Sequence, residues 1–598
     1  MKFKSITLLS FSMLLFACNG EVQEVTEEII EIEARSITDF FQEFTDEWVR
    51  QNPDLAISTQ YFKGEEQDQL SRQLTPVTRE WQLGMVDLAK EGLLQLAVFD
   101  VSSLSATQRV SAALIKWQLQ NIVNSETFID YNFPLQQMTG VNVSLPSALT
   151  IDHPVQSARD AENYVARLAQ MGDRMLEAVA ESQRIANAGV VPPRFILDTT
   201  IRQLEIFIGY EPAENPIITT LSDKMMEIEG VNETTVTALV SQATALIESE
   251  VYPAWQEAIF TLSSQQDYAT SDAGLWRFEG GDTLYQQRLD TFTTTSLTAE
   301  EIHNIGLSEV ARIEKQMTKL FEEIGYTEGS ITERVAAVKA DNIYPDTAQG
   351  RESIMAEIDT ILADALTRTE ASFDVRPTST VIAQPYPEFQ WESTAASYSS
   401  PPPSGSRPGI FQMPLRASYL TTFDLRSLVY HETVPGHHFQ LALVVENDNL
   451  PMFRRIGAFG GLSASVEGWA LYAERFAAED GWYDDDPVGR LGQLSSALFR
   501  ARRLVVDTGL HAMGWTRQQS IDYGIEASEI ERYVVFPGQA TSYMIGQLKL
   551  IELRDKVQEE LQDQFSIREY HNLVLNLGIV PLAILEQEVD RYITENKR

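Results

Sequence analysis

Apolar residues recur every three or four positions from Ser36 almost to the C-terminus, a helical period that restricts the chain to packed helices. The first such stretch, ITDFFQEFTDEWVRQNP, puts Phe40, Phe41, Phe44 and Trp48 at helical spacing. It stops at Asn52-Pro53, because proline cannot continue a helix. Similar periods run near 77–97, 105–124, 156–187, 233–263, 298–325 and 351–370, and Ser105 and the capping box Thr298-Ala-Glu-Glu301 mark two of the starts. Neither an internal repeat nor an alternation of strands with helices is visible. Over 373–421 the texture changes to proline, serine, β-branched and aromatic residues, which reads as short strands and turns with an exposed loop at SPPPSGSRPG (400–409). Helices resume at Thr421. The expected fold is mainly α: a helical lobe over 36–295, a second half over 296–598, a central cleft and a small β insert near 373–421.

The N-terminus follows a different logic. MKFKSITLLSFSMLLFAC begins with Lys2 and Lys4 and continues through an apolar run too short to span a bilayer, so residues 1–17 read as an export signal. Cys18 is the only cysteine in the chain, and its place after Leu15-Phe16-Ala17 resembles a bacterial lipobox. The expectation is an exported lipoprotein anchored through lipid on Cys18, with an acidic tether over 18–35. Asn19 after the cysteine points to the outer membrane, facing the periplasm or the cell surface. The 598 residues carry 46 basic against 86 acidic side chains, a net charge of −40, which repels nucleic-acid phosphates.

Three of the seven histidines fall within residues 431–438, HETVPGHH. A catalytic zinc ion needs about three protein ligands, an open position and a general base near the water it binds. H-E-x-x-H on one helix meets these needs, because histidines four apart share a face. Here His437 is six residues from His431, about 120° round an ideal helix, and His438 is seven away, about 10.5 Å along it. Pro435 forbids an undistorted helix at that point, since its ring clashes with the His431 carbonyl, and Gly436 permits unusual torsions. A bulge at Val434-Pro435-Gly436 would absorb two residues and return one histidine to the position beside His431. Removing those two residues leaves a contiguous H-E-x-G-H, which favours His437 over His438 as second ligand.

The third ligand is expected in GGLSASVEGWALYAERFA (460–477). Glu467 stands among apolar residues, an expensive place for a carboxylate unless it is paired or ligating. The alternative for it is an ion pair with Arg454, Arg455 or Arg475. Glu474, seven residues on and on the same helix face, is placed to orient a histidine ligand from behind.

HETVPGHHFQ, EGWALYAE, RRLVVDTGLHAMGWT (502–516), FPGQATSYMIGQLKL (536–550) and HNLVLNLGIVPLAILE (571–586) together resemble the bacterial DUF885 family. That family is regarded as similar to the helical gluzincin metallopeptidases, which join H-E-x-x-H to a downstream glutamate. The resemblance implies a peptidase-like fold and one zinc ion, and the remaining blocks hold what such an enzyme would need. Tyr543 and His511 are natural donors to an oxyanion, Asp507 is placed to hold His511, and Gln539 and Arg503 are candidates for substrate contact. His153, His303 and His571 read as structural. The segment 407–414, taken as an edge strand, would bind an extended peptide by strand addition.

These readings converge on a zinc-dependent hydrolase, a peptidase acting on short peptides, with His431, His437 and Glu467 as ligands and Glu432 as general base. A non-peptide amide or ester hydrolase on the same residues, and a non-catalytic surface-binding lipoprotein, are the alternatives.

Overall fold

The computed structural model describes residues 35–388, 391, 394–403, 405 and 407–597. The export signal, Cys18 and most of the tether lie outside them. About 70% of the chain is helical and 3% is strand, so the fold is mainly α. Local chemistry explains where the helices begin. Ser36 Oγ accepts from the Asp39 N–H (3.1 Å) while Asp39 Oδ2 accepts from the Ser36 N–H (3.0 Å), opening Ile37–Arg50. Ser105 and Thr298 cap Ala106–Asn124 and Ala299–Ile324 in the same reciprocal way, and the latter ends at Gly325 with φ of 89°. The period near 233–263 continues through one π-helical turn, Ile247–Val251, between Glu233–Leu246 and Tyr252–Gln266. No described helix is long and apolar enough to cross a membrane.

Two large cores hold these helices. Phe40, Phe41, Phe44 and Trp48 pack in the first core with side chains from Leu275 onward. Phe41 meets Phe453 at 5.5 Å and Phe44 meets Phe459 at 5.6 Å between ring centroids. Burying each such ring contributes about 1.5–3 kcal/mol. The second core gathers apolar residues from Leu135 to Ala269, with Leu74 added. The expected cut at about 295 therefore does not divide the packing, because the first helices close onto the C-terminal half. Helical periodicity identifies a buried face but not the face it meets.

The insert forms the expected small sheet, with β1 (Val381–Pro385), β2 (Ser397–Ser399) and β3 (Gly409–Met413) in the order β1–β3–β2. β1 runs parallel to β3, pairing Ala383 with Phe411, and β2 runs antiparallel, pairing Tyr398 with Phe411. β3 is thus central rather than an edge. Its backbone groups are taken on both sides, which corrects the expectation that 407–414 accepts an added peptide strand.

Candidate metal centre

The stretched motif is built from two helices, not from one bulged helix. Leu425–Glu432 carries His431 inward and stops, Thr433 Oγ1 donates back to the Val429 carbonyl (2.5 Å), and His437–Glu446 starts afresh. Between them the Gly436 N–H reaches the Tyr430 carbonyl at 3.0 Å. A Cβ on Gly436 would stand 2.0 Å from the His431 carbonyl oxygen, so the chain turns back only because residue 436 has no side chain. The turn returns His437 to His431, with ring centroids 4.7 Å apart at 81°.

Ser463–Glu479 crosses this turn, and the EGWA motif explains the crossing. Trp469 Nε1 donates to the carbonyls of Pro435 (2.9 Å) and Gly436 (3.2 Å), clamping the turn from outside. Gly468 packs directly on Gly546 of Ser542–Leu561: a Cβ on Gly468 would lie 2.6 Å from the Gly546 Cα. The two glycines let the helices approach closely, and Glu467 is carried to the histidines.

Glu467 Oε2 is 3.5 Å from His431 Nε2 and 3.6 Å from His437 Nε2. These separations are too long for strong charge-assisted hydrogen bonds, which run about 2.7–2.9 Å. They match the roughly 3.4 Å between two atoms that share one tetrahedral zinc at about 2.1 Å. One ligand atom from each of His431, His437 and Glu467 lies within 4.8 Å of the other two, and the donor set of two imidazoles and one carboxylate is one that zinc takes. The residues present therefore fit the ion that the resemblance implies. The arginines that the alternative reading would pair with Glu467 are engaged elsewhere. Arg454 donates to the Ser111 hydroxyl and the Leu577 carbonyl, Arg455 pairs with Asp448, and Arg475 pairs with Glu479.

Glu474 stands behind His431, as its spacing predicted. Its Oε1 is 2.8 Å from His431 Nδ1, and its Oε2 accepts from Ser427 Oγ (2.5 Å) and Ser496 Oγ (3.1 Å). Burial alone would lower the His431 pKa, but the carboxylates of Glu467 and Glu474 facing its two nitrogens override it and push the value up to about 10. Burial opposes ionisation of Glu467 too, yet His431 and His437 hold it well below the ordinary carboxylate range. Nothing braces His437 in the same way: among the described residues its buried Nδ1 has no hydrogen-bond partner. Glu432 is buried, and its negative charge is felt by His431.

His438 goes elsewhere, which corrects its place as an alternative ligand. Its Nδ1 accepts from the Tyr398 hydroxyl (2.8 Å) and its Nε2 donates to the Ser379 carbonyl (3.1 Å), so the ring ties the sheet to the motif. Burial pushes its pKa down to about 4, consistent with this neutral role.

The other expected residues divide. His511 is fully buried, with Nδ1 accepting from the Leu275 N–H (3.2 Å) and Nε2 donating to the Tyr533 carbonyl (3.0 Å). Both nitrogens are taken by backbone, which corrects its role as an oxyanion donor. Asp507 does not hold it either: its Oδ1 accepts from the Tyr285 hydroxyl (2.5 Å) and the Gly538 N–H (3.0 Å). Arg503 pairs with Glu529 (2.7 Å) and donates to the Tyr533 hydroxyl. Gln539 accepts from Arg532 and donates to Ser463 Oγ (3.1 Å). Both side chains are thus tied into bonds within the fold. Their network instead surrounds half-buried Tyr543, with the Arg503 guanidinium 4.7 Å over its ring and Arg532 Nη2 3.5 Å from its hydroxyl. Sequence reading missed Arg532, whose only signal was its place one helical turn after Glu529. His153, His303 and His571 are bonded within the fold, to Asp160 and Arg167, to Thr508, and to Tyr472 and Ser372.

Fold and site together define a mainly helical protein with a cluster of two buried histidines and one half-buried glutamate, braced from behind by a second glutamate. The chain belongs to the family described as "Bacterial protein of unknown function (DUF885)", whose model matches residues 58–589. Among solved structures it is similar to a candidate lipoprotein from Colwellia psychrerythraea. That protein is 29% identical with a TM-score of 0.88, and the match covers 94% of this chain and 100% of the other. A candidate lipoprotein of unknown function from Shewanella oneidensis, 18% identical, shares the fold with a TM-score of 0.69 over 93% and 99% of the two chains. No curated protein matches the sequence.

Proposed function

We propose that this chain is a zinc-dependent hydrolase and, within that class, a peptidase acting on short peptides. The observation that carries the reading is the placing of Glu467 Oε2 at 3.5 and 3.6 Å from two imidazole nitrogens, a spacing suited to a shared ion. His431, His437 and Glu467 would hold the metal, with Glu474 fixing the His431 ring. Bound there, zinc supplies a Lewis acid that polarises a carbonyl and makes water more acidic. Glu432 takes the proton that a water molecule releases as its oxygen attacks the carbonyl carbon. It passes that proton to the nitrogen as the C–N bond breaks. The Tyr543 hydroxyl donates to the carbonyl oxygen as negative charge grows on it.

Lipid attachment at Cys18 and an outer-membrane address belong to the same proposal. The lipobox-like sequence supports them, as do the two structural neighbours described as candidate lipoproteins. The test of the reaction is turnover of a short-peptide library and of simple esters, before and after chelation. Peptide cleavage that chelation abolishes and zinc restores is the expected result. Turnover of esters alone would move the function to a non-peptide hydrolase, and turnover of neither class would overturn the enzyme reading.

A further inference from the structure

A large cavity lies away from the histidine–glutamate cluster. It has a volume of about 660 Å³, within the range of small-molecule sites, and none of His431, His437 or Glu467 lines it. It opens where the two large cores meet: Leu284 of the first core and Val141 and Leu145 of the second border it. Trp81, Tyr131, Phe133, Phe292 and Phe536 supply aromatic wall. The Trp81 ring is fixed by its Nε1–H donating to the Gln51 carbonyl, and Phe292 meets Phe536 edge-on at 4.9 Å.

Among the described lining residues Arg288 is the only base. Its Nη2 donates to the Asn132 side-chain oxygen (2.6 Å), and among the described residues no carboxylate forms an ion pair with it. Burial holds the guanidinium below its ordinary value, and no nearby acid offsets this. The acids that border the cavity are engaged or lie in the field of other cations. Asp54 pairs with Arg167, Glu181 pairs with Arg184, and burial raises the Asp152 carboxyl against the opposing pull of Arg167 and Lys224. The half-buried guanidinium has donors beyond the one spent on Asn132 turned to the cavity, and a planar carboxylate matches its fork.

We propose that this cavity binds a carboxylate-bearing ligand, its carboxylate on Arg288 and its apolar or aromatic body against the ring wall. The cavity also adjoins the Tyr543 network through the FPGQ turn. Phe536 and Pro537 form part of its wall, Gly538 packs on the Arg288 backbone, and Gln539 bonds Ser463, one helical turn before Glu467. Two sources share the required chemistry: a free aromatic acid, and the C-terminal residue of a short peptide.

The binding test needs neither metal nor turnover, so its failure and that of the hydrolase reading are separable. Calorimetric titration of the chelated full chain would use acetyl-glycyl-phenylalanine, its C-terminal amide and 3-phenylpropanoate. At least one acid is expected to bind, with the amide at least tenfold weaker than its parent peptide if the peptide is the ligand. Arg288→Gln is expected to weaken the binding acid at least tenfold, while Arg288→Lys retains part of it. Binding of the peptide alone identifies a chain terminus as the ligand, of phenylpropanoate alone a free acid, and of both a carboxylate with a ring as sufficient. Binding of neither acid overturns the proposal. So does equal binding of peptide and amide, or undiminished binding to a folded Arg288→Gln variant.

Discussion

Two buried histidine–carboxylate clusters lie in the C-terminal half, and they have opposite chemistry. In the first, His431 and His437 face Glu467 at 3.5 and 3.6 Å, and Glu474 braces only one of the rings. In the second, His511 lies beside Tyr285 and near Asp507, but backbone groups take both of its nitrogens and Asp507 is taken by Tyr285 and Gly538. The electrostatics diverge accordingly: His431 is pushed up to about 10, whereas burial pushes His511 down to about 3 and raises Asp507 to about 7. Burial and motif membership are common to both clusters. What separates a candidate metal site from a structural one is bonding capacity left unspent.

The sharpest way to break this contrast is to remove the proposed base. Glu432→Gln is expected to lower kcat by about 10²–10⁴ while zinc content stays unchanged. His511→Gln is expected to reduce thermal stability but leave metal content as in the parent. Loss of zinc from the His511 variant would erase the distinction between the clusters.

A smaller effect probes the brace. Glu474→Gln is expected to weaken zinc about 10–100-fold in competition with a chromophoric chelator, because His431 loses the acceptor that orients its ring. An unchanged affinity would mean that the Ser427–Glu474–His431 chain serves packing alone.

Metal uptake should also respond to pH. In the metal-free protein His431 keeps its proton up to about pH 10, because its raised pKa favours the charged form. Zinc must displace that proton, so apparent affinity should rise about tenfold per pH unit from neutrality and level off as pH approaches 10. Glu474→Gln removes one of the supports and should move the plateau to lower pH. A flat profile in the parent would contradict proton displacement at His431.

An effect of similar size to that of the brace concerns geometry at Gly436. Gly436→Ala places a methyl 2.0 Å from the His431 carbonyl and should destabilise the fold by about 1–3 kcal/mol in denaturant titrations, with zinc affinity falling as His437 moves. A Gly514→Ala change, where a Cβ would meet open space, serves as comparison for a glycine whose demand is conformational alone (φ 70°).

Much of this was legible in sequence for identifiable reasons. The helices over 105–124 and 298–325 announced themselves through Ser105 and Thr298, since a capping side chain acts within its own turn. His437, Glu467 and Glu474 were legible because spacing on neighbouring helices limits what can meet. Long-range partners were not. The nitrogens of His511 are claimed in part by Leu275, 236 residues away, and no local pattern announces that bond. β3 became central rather than an edge because both of its partners lie on its N-terminal side, and sequence order does not reveal strand order. His438 stood in sequence as the less favoured alternative to His437, and only the long-range partners Tyr398 and Ser379 show where it goes. The motif also read as one bulged helix, whereas the close approach of Gly436 to two carbonyls ends one helix and starts another.

The measurement that tests the central claim most directly is metal content by elemental analysis of the purified protein and of its His437→Ala and His438→Ala variants. The account predicts about one zinc per chain, lost from the His437 variant and kept by the His438 variant. No zinc in the parent protein even after zinc is supplied, or loss from the His438 variant alone, would contradict it.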